Sequence, residues 1–140
     1  MSASVIAEIY LAVANLAIGG VKCRNLPEVQ LSIEQADLPM RILLPSTKGD
    51  GGFVMIGTLN KIEWALRDLC LWAPIENMGL ADVAEPMIRY IVAYIDALKG
   101  LRGPTNQSNL TGFVFQMKPT LWNEAWYWAV DTTLSIEEYL

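Results

Sequence analysis

Few residues in this chain could do chemistry. Asp68 sits inside the apolar run KIEWALRDLCLWAP, residues 61–74, where a carboxylate would be short of water. A functional carboxylate is one reading, since burial and neighbours can set an acid up for proton transfer. Carboxylate catalysis ordinarily uses a second acid close by, and nothing in the sequence places one. The plainer reading, and the one favoured here, is an acid paired with Arg67 or with a neighbouring strand, or one facing water. Cys23 and Cys70 are the only cysteines, and there is no histidine. A Ser-His-Asp or Cys-His arrangement within one chain is therefore impossible, and the commonest metal ligand and general base are both missing. Both cysteines fall in apolar, strand-like stretches and read most simply as buried free thiols of a reducing compartment, with a disulfide between them left open. No GxGxxG, P-loop, CxxC or HExxH motif is present. Asn109-Leu110-Thr111 spells a glycosylation sequon but lacks the secretory context that would give it meaning. These absences predict no catalytic residue, no cofactor and no metal.

The other chemically suggestive stretch is LWNEAWYWAVDTTLSIEEYL, 121–140, with three of the five tryptophans: Trp122, Trp126 and Trp128. Stacked aromatics can hold single-stranded nucleic acid, but such sites thread Lys and Arg between the rings to meet phosphate. Here only Lys118 is near, while Asp131, Glu137 and Glu138 repel phosphate. From Trp126 to Ile136 the residues alternate, with Trp126, Trp128, Val130, Thr132, Leu134 and Ile136 on one face. That period of two predicts a long antiparallel strand laid on a core.

The chain has 140 residues, enough for one domain with a substantial core. Its formal charge is −5, from 15 acidic and 10 basic residues, which disfavours tight binding to nucleic acid or an anionic membrane. Mean hydropathy is +0.29, apolar for a soluble chain. The best candidate membrane spans, 5–21 and 87–101, are interrupted by Glu8 and Asn15, and by Arg89, Asp96 and Lys99. No basic residue precedes Lys22, so no secretory signal is expected. Surplus apolar residues without a span point to subunit contacts, or else to a well-filled core.

Along the chain, residues 4–17 predict a helix with Ile6, Ile9, Tyr10, Val13, Leu16 and Ala17 on one face, Ser4 as its N-cap and Gly19-Gly20 as its stop. Strands follow at 21–25 and 38–45, around a loop at 26–37. STKGDGG, 46–52, is a polar, glycine-rich turn. Residues 53–59 and 61–74 form one long strand or two joined by a bend, with a phase change near Arg67-Asp68 that suggests a bulge. Residues 82–99 are the main helix. Asp82 and Glu85 have capping-box spacing, Pro86 falls in the first turn or marks a kink, and Glu85 and Arg89 are spaced to pair. Its apolar face is wide, with Ile88, Val92 and Ile95 added to Met87, Tyr90, Ile91, Tyr94 and Leu98, as if covered from two sides. A loop, 101–111, and a strand, 112–119, lead to the aromatic strand. Runs of strands separated by helices predict an α+β domain: a largely antiparallel sheet with two main helices on one face.

This order of segments resembles that of the phage tail terminator proteins, the neck family of the lambda type. The likeness is carried by the N-terminal helix followed by GGVKCRNL and DLPMRILLP, by IEWALRDLCLWAPI leading into GLADVAEPMIRYIVAYIDAL, and by WNEAWYWAVDTTLSIEEYL. It spans nearly the whole chain as loosely matching segments in one order, without a diagnostic motif. The resemblance implies a non-enzymatic virion protein, assembled in the bacterial host cytoplasm. Its subunits would form a hexameric ring that caps the tail tube and joins it to the head-side connector or stopper. The partners implied are further copies of itself, the tube protein, the connector or stopper, and DNA that passes without specific binding. Six copies at −5 each would carry −30, which suits passage of DNA if part of that charge faces the hole. Polar loops on rigid scaffolds commonly carry contacts, so Lys48 and Asp50 in the first loop, and Arg102 and Asn106 in the second, are candidate interface residues. Another neck protein (a head-tail stopper or adaptor) is the nearest alternative. A small-ligand-binding domain or a carboxylate-dependent enzyme is a more distant one.

Overall fold

The computed structural model describes residues 6–24, 38–44, 53–56, 59–77, 79–99 and 110–139. In chain order the elements are α1 (Ile6–Ala14), β1 (Lys22–Arg24), β2 (Met40–Leu44), β3 (Phe53–Ile56), β4 (Leu59–Pro74), a 3-10 turn (Ile75–Asn77), α2 (Leu80–Lys99), β5 (Leu110–Trp122) and β6 (Ala125–Tyr139). The strands make one six-stranded sheet in the order β1-β2-β4-β6-β5, with β3 paired to the start of β4. All pairings are antiparallel except β1 with β2. Both helices pack on one face, so the α+β architecture expected from the sequence is the one formed.

The sheet has two unlike faces. Towards the helices, β4 turns Leu66, Asp68 and Cys70, β6 turns Val130, Leu134 and Ile136, and α2 answers with Val83, Met87, Tyr90, Tyr94 and Leu98. On the far face, Leu69 and Leu71 of β4 meet Met40 and Ile42 of β2 and Tyr127 and Ala129 of β6 in a second buried cluster. The change of phase at Arg67-Asp68 therefore comes from a strand buried on both faces, which loses the simple alternation. The register shift between β4 and β6 lies between Leu71 and Ala73 instead. The extra residue there, Trp72, lets both Trp72 and Ala73 pack against the helix-side core.

Other boundaries differ from the sequence expectation for local reasons. The helix α1 ends at Ala14, and Gly19 and Gly20 do not cap it. With φ of 55° and 77°, and the Val21 N–H bonded to the Ile18 carbonyl at 2.9 Å, they form a tight turn of the left-handed type that leads into β1. The helix α2 opens at Gly79, whose N–H donates to Asp82 Oδ2 at 3.0 Å, so Asp82 supplies the reaching-back half of a capping box. Glu85 bonds Arg89 one turn on, as its spacing predicted. Pro86 stands inside the helix, past the first turn. The strands β3 and β4 pair antiparallel as two arms, with Ile56 facing Leu59. Leu110 and Thr111, expected in a loop, begin β5. Trp122 belongs to β5, because Asn123 and Glu124, at φ 48° and 67°, turn the chain between Trp122 and Ala125. The expected N-cap Ser4 and the stretches 26–37 and 46–52 lie outside the described residues.

Candidate assembly surface

Asp68 is fully buried and is held from two sides. Arg41, on the neighbouring strand β2 and equally buried, donates to Asp68 Oδ2 from Nε at 3.1 Å and also from Nη2. The Tyr94 hydroxyl of α2 donates to the same oxygen at 2.6 Å. The remaining Arg41 donors reach the carbonyls of Val13, 3.0 Å, and Leu16, 3.2 Å, at and beyond the end of α1. A cation there adds a donor to the carbonyls at the helix end, where the Leu16 N–H also bonds the Val13 carbonyl at 3.2 Å, and it meets the negative end of the dipole. The guanidinium also lies 5.5 Å from the centre of the Tyr94 ring. One buried pair thus ties α1, β2, β4 and α2 together. The sequence reading of Asp68 as an acid paired with a neighbouring strand holds, and Arg67 is not the partner.

Burial, and then the pair, shift the titration of its surroundings. Burial pulls the Arg41 guanidinium down, but Asp68 outweighs it and the net direction is up. Burial first, and then the Asp68 charge, push the Tyr90 and Tyr94 hydroxyls up. The same two causes push the Cys70 thiol up to about 12, leaving it protonated and a poor nucleophile at neutral pH. Asp68 faces Thr132 across the β4–β6 ladder. No second carboxylate lies on the helix-side row Leu43, Asp68, Thr132 and Phe115. The arrangement braces the fold.

A second charged group sits on the far face. Arg67 grips Asp131 with Nε to Oδ1 at 2.9 Å and Nη2 to Oδ2 at 2.8 Å, and Lys118 approaches Oδ2 at 3.3 Å. Burial alone would push the Asp131 carboxyl up. The Arg67 bonds and charge, with Lys118 behind them, bring it below its ordinary value. A lowered carboxyl stabilises the fold above the usual carboxylate range, and that contribution is lost as pH falls through the folded-state value. Urea midpoints followed from about pH 5 to pH 3 are therefore expected to fall more for the wild type than for Asp131→Asn. Equal losses in the two would show that the group adds nothing. Glu138 is buried and accepts a bond from Trp64 Nε1 at 2.8 Å.

The helix face is incompletely covered. α2 lies over β4 and β6 and contacts β5 through Tyr94, whose ring meets Phe115 edge-on at 5.7 Å. Outward along β5 and its turn, Phe113, Met117, Leu121 and Trp126 remain exposed, Trp126 by 54%. They share one face because Phe113, Met117 and Leu121 stand opposite Leu134, Val130 and Trp126. The adjoining flank of α2 adds Ile88 and Val92, also exposed. At 100° per residue Ile88 lies nearly opposite Pro86, whereas Val92 stands beside Arg89; Pro86 and Arg89 line a shallow groove of about 220 Å³ with Gly19, Val21, Trp72 and Tyr90. That groove falls below the ~300 Å³ at which small-ligand sites begin, and its one charge, Arg89, is bonded to Glu85. The apolar surface at β5 is thus the more prominent feature. It is the kind of continuous patch that marks contact with another macromolecule.

Sequence reasoning flagged the α2 part of this surface through its wide apolar face but missed the β5 part, although period two placed Phe113, Phe115, Met117 and Leu121 together. It also passed over Arg41, a lone cation in LPMRILLP. The candidate interface residues Lys48, Asp50, Arg102 and Asn106 lie outside the described residues. Among the described residues no group of three or more His, Cys, Asp or Glu could hold a metal, and no helix is long and apolar enough to cross a membrane. No family model matches the sequence. No curated protein is similar to it.

Proposed function

We propose that the chain is a structural subunit of a bacteriophage neck, in the manner of a tail terminator. Copies form a ring of six that caps the tail tube and joins it to the head-side connector or stopper, and DNA passes through without specific binding. The subunit acts by contact and carries no catalytic residue. The observation that supports this reading is the apolar surface left open on β5, in a chain whose order of segments resembles that of the family. An enzyme gathers its perturbed groups in a cleft. Here they are enclosed by Arg41, Asp68 and the two tyrosines, and what faces outward suits another protein.

Lys48, Asp50, Arg102 and Asn106 are proposed to meet the tube protein or the connector. Imaging of assembled particles tests the reading: labelled subunits should form a six-fold ring where tube meets head. A single copy per particle, or a ring of another symmetry, would overturn it. A position on the head side of the junction would assign the chain to the stoppers. Deleting Lys48 to Gly51, or residues 104–109, should reduce joined particles while separate heads and tails accumulate. Normal joining with both deletions would remove the loops from the contact.

A further inference from the structure

The strand β5 ends the sheet on one side, and among the described residues nothing pairs with its outer edge. At 13 residues it is a far longer open edge than β1, of 3 residues, at the other end. Its ladder with β6 fixes which main-chain groups are spare. The two-residue turn at Asn123-Glu124, both at positive φ, makes Trp122 and Ala125 a pair that exchanges both of its bonds. The register then runs unbroken back to Gly112. Counted in twos from the turn, Thr120, Lys118, Gln116 and Val114 bond β6, whereas Leu121, Pro119, Met117, Phe115 and Phe113 aim their main-chain groups outward. Pro119 fits that phase, because it falls where a missing N–H costs the β5–β6 ladder nothing.

Open edges are ordinarily guarded by bulges, lysine or proline. On β5 the guards stand at the two ends of one stretch. The register slips at Thr111, and Lys118 and Pro119 follow Met117. Between them, Phe113 to Met117 carries no charge, and Phe113, Val114 and Met117 are exposed. Thr111 and Pro119 each lie four residues from Phe115, so the open stretch is symmetric about that residue.

We propose that this stretch pairs antiparallel with the same stretch of a second copy, about a two-fold axis through Phe115, joining two sheets into one. The spare groups are main-chain N–H and C=O, so the partner is an extended strand. A second copy is the strand whose irregularities match. In this register Phe113 faces Met117 of the other copy and Phe115 faces its counterpart, each pair exchanging two main-chain bonds. Thr111, where the ladder slips, falls opposite Pro119, so the absent donor lies where regular pairing stops. Phe113, Phe115 and Met117 of both copies form one apolar row on the helix face, and Val114 meets Gln116 on the other. Lys118 falls opposite Gly112, so no like charges face each other across the join. The two α2 helices stand roughly 19 Å apart, four strand spacings, well beyond the ~10 Å at which helices touch. A two-fold pair is closed, so it is a form of the free subunit and not the neighbour contact of a cyclic ring. It stands or falls apart from the neck reading.

Amide hydrogen exchange reads the phase directly. The Phe113, Phe115 and Met117 amides should exchange about ten-fold more slowly at millimolar than at micromolar protein, while Val114 and Gln116, bonded within the subunit, stay slow at both. Sedimentation velocity should show monomer and dimer over the same range. Phe113→Pro removes an outward N–H and no bond to β6, so it should keep the wild-type circular dichroism and stay monomeric. Disulfide trapping in a Cys23→Ser background tests the register without relying on that variant. Val114→Cys mixed with Gln116→Cys should cross-link several-fold faster than either with itself, because these two positions face each other across the join. A wild type that stays monomeric at millimolar protein, with the three outward amides exchanging freely, overturns the inference and leaves the edge to a strand of another protein. Dimers that survive Phe113→Pro at wild-type strength, or equal cross-linking in every mixture, overturn it as well.

Discussion

Arg41→Ala is expected to lower the unfolding free energy by about 3–5 kcal/mol, the range for removing one partner of a buried ion pair. The loss comes chiefly from what remains. Asp68 has no route to water, Tyr94 still donates to it, the Leu16 carbonyl loses the Arg41 donor, and the Val13 carbonyl keeps the Leu16 N–H. For a domain of this size that is a large share of the roughly 5–15 kcal/mol available. Arg41→Met with Asp68→Leu should recover most of the loss, since a buried pair is often no more stabilising than apolar residues of similar volume. The Tyr94 hydroxyl then lacks its acceptor, which leaves a residual deficit of about 1–3 kcal/mol that adding Tyr94→Phe should relieve. Urea denaturation of the single, double and triple variants measures this order. A single variant within about 0.5 kcal/mol of wild type would show that Arg41 is not braced as described.

Leu134→Ala should lower stability by about 2–5 kcal/mol, because it opens a cavity in a fully buried site of the central strand β6 beneath α2. The informative comparison is with Leu121→Ser and Trp126→Ser on the same sheet face. These two stand opposite one another near the β5–β6 turn and are half exposed, so each change should move the isolated subunit by about 1 kcal/mol or less. If the apolar surface serves assembly, the same two changes should reduce association while Leu134→Ala lowers only folding. Thermal melts set against sedimentation separate the outcomes. A large fall in melting temperature for Trp126→Ser would return that tryptophan to the core.

The elements whose environment is simple were legible in the sequence. The stripe Met87, Tyr90, Tyr94 and Leu98 faces one core and shows as a helix, and the alternation from Val130 to Ile136 faces one core and shows as a strand. The class of fold followed from their order. The strand β4 was harder, because it is buried on both faces and its apolar run hides its parity. Its pairing with β3 and the true place of the bulge were lost with it. The β5–β6 turn was hidden because Asn123-Glu124 carries only half of the usual Asn-Gly signal, so two tryptophans that straddle a turn looked like one strand. Gly19-Gly20 carried a strong signal for left-handed backbone but not for which structure would use it. For the site, Asp68 stood out in sequence, yet its partner is 27 residues away, and no local pattern names Arg41. Exposure of Trp126 is a property of how far α2 reaches across the sheet, which periodicity does not encode.

The order of strands also bears on how the chain matures on the ribosome. β6 is inserted between β4 and β5, yet it is made after both. Once Pro74 has emerged, the apolar edge of β4 waits for roughly fifty more residues before its partner exists, about 3–10 s at ordinary rates of synthesis. During that interval β2 and β3 can pair with it on one side only, although Tyr94 of α2 emerges early enough to join Arg41 at Asp68. The nascent protein is thus a half-sheet with a sticky margin. Crowded polysomes, where many such margins stand side by side, are where a late-arriving central strand makes the chain most dependent on chaperones.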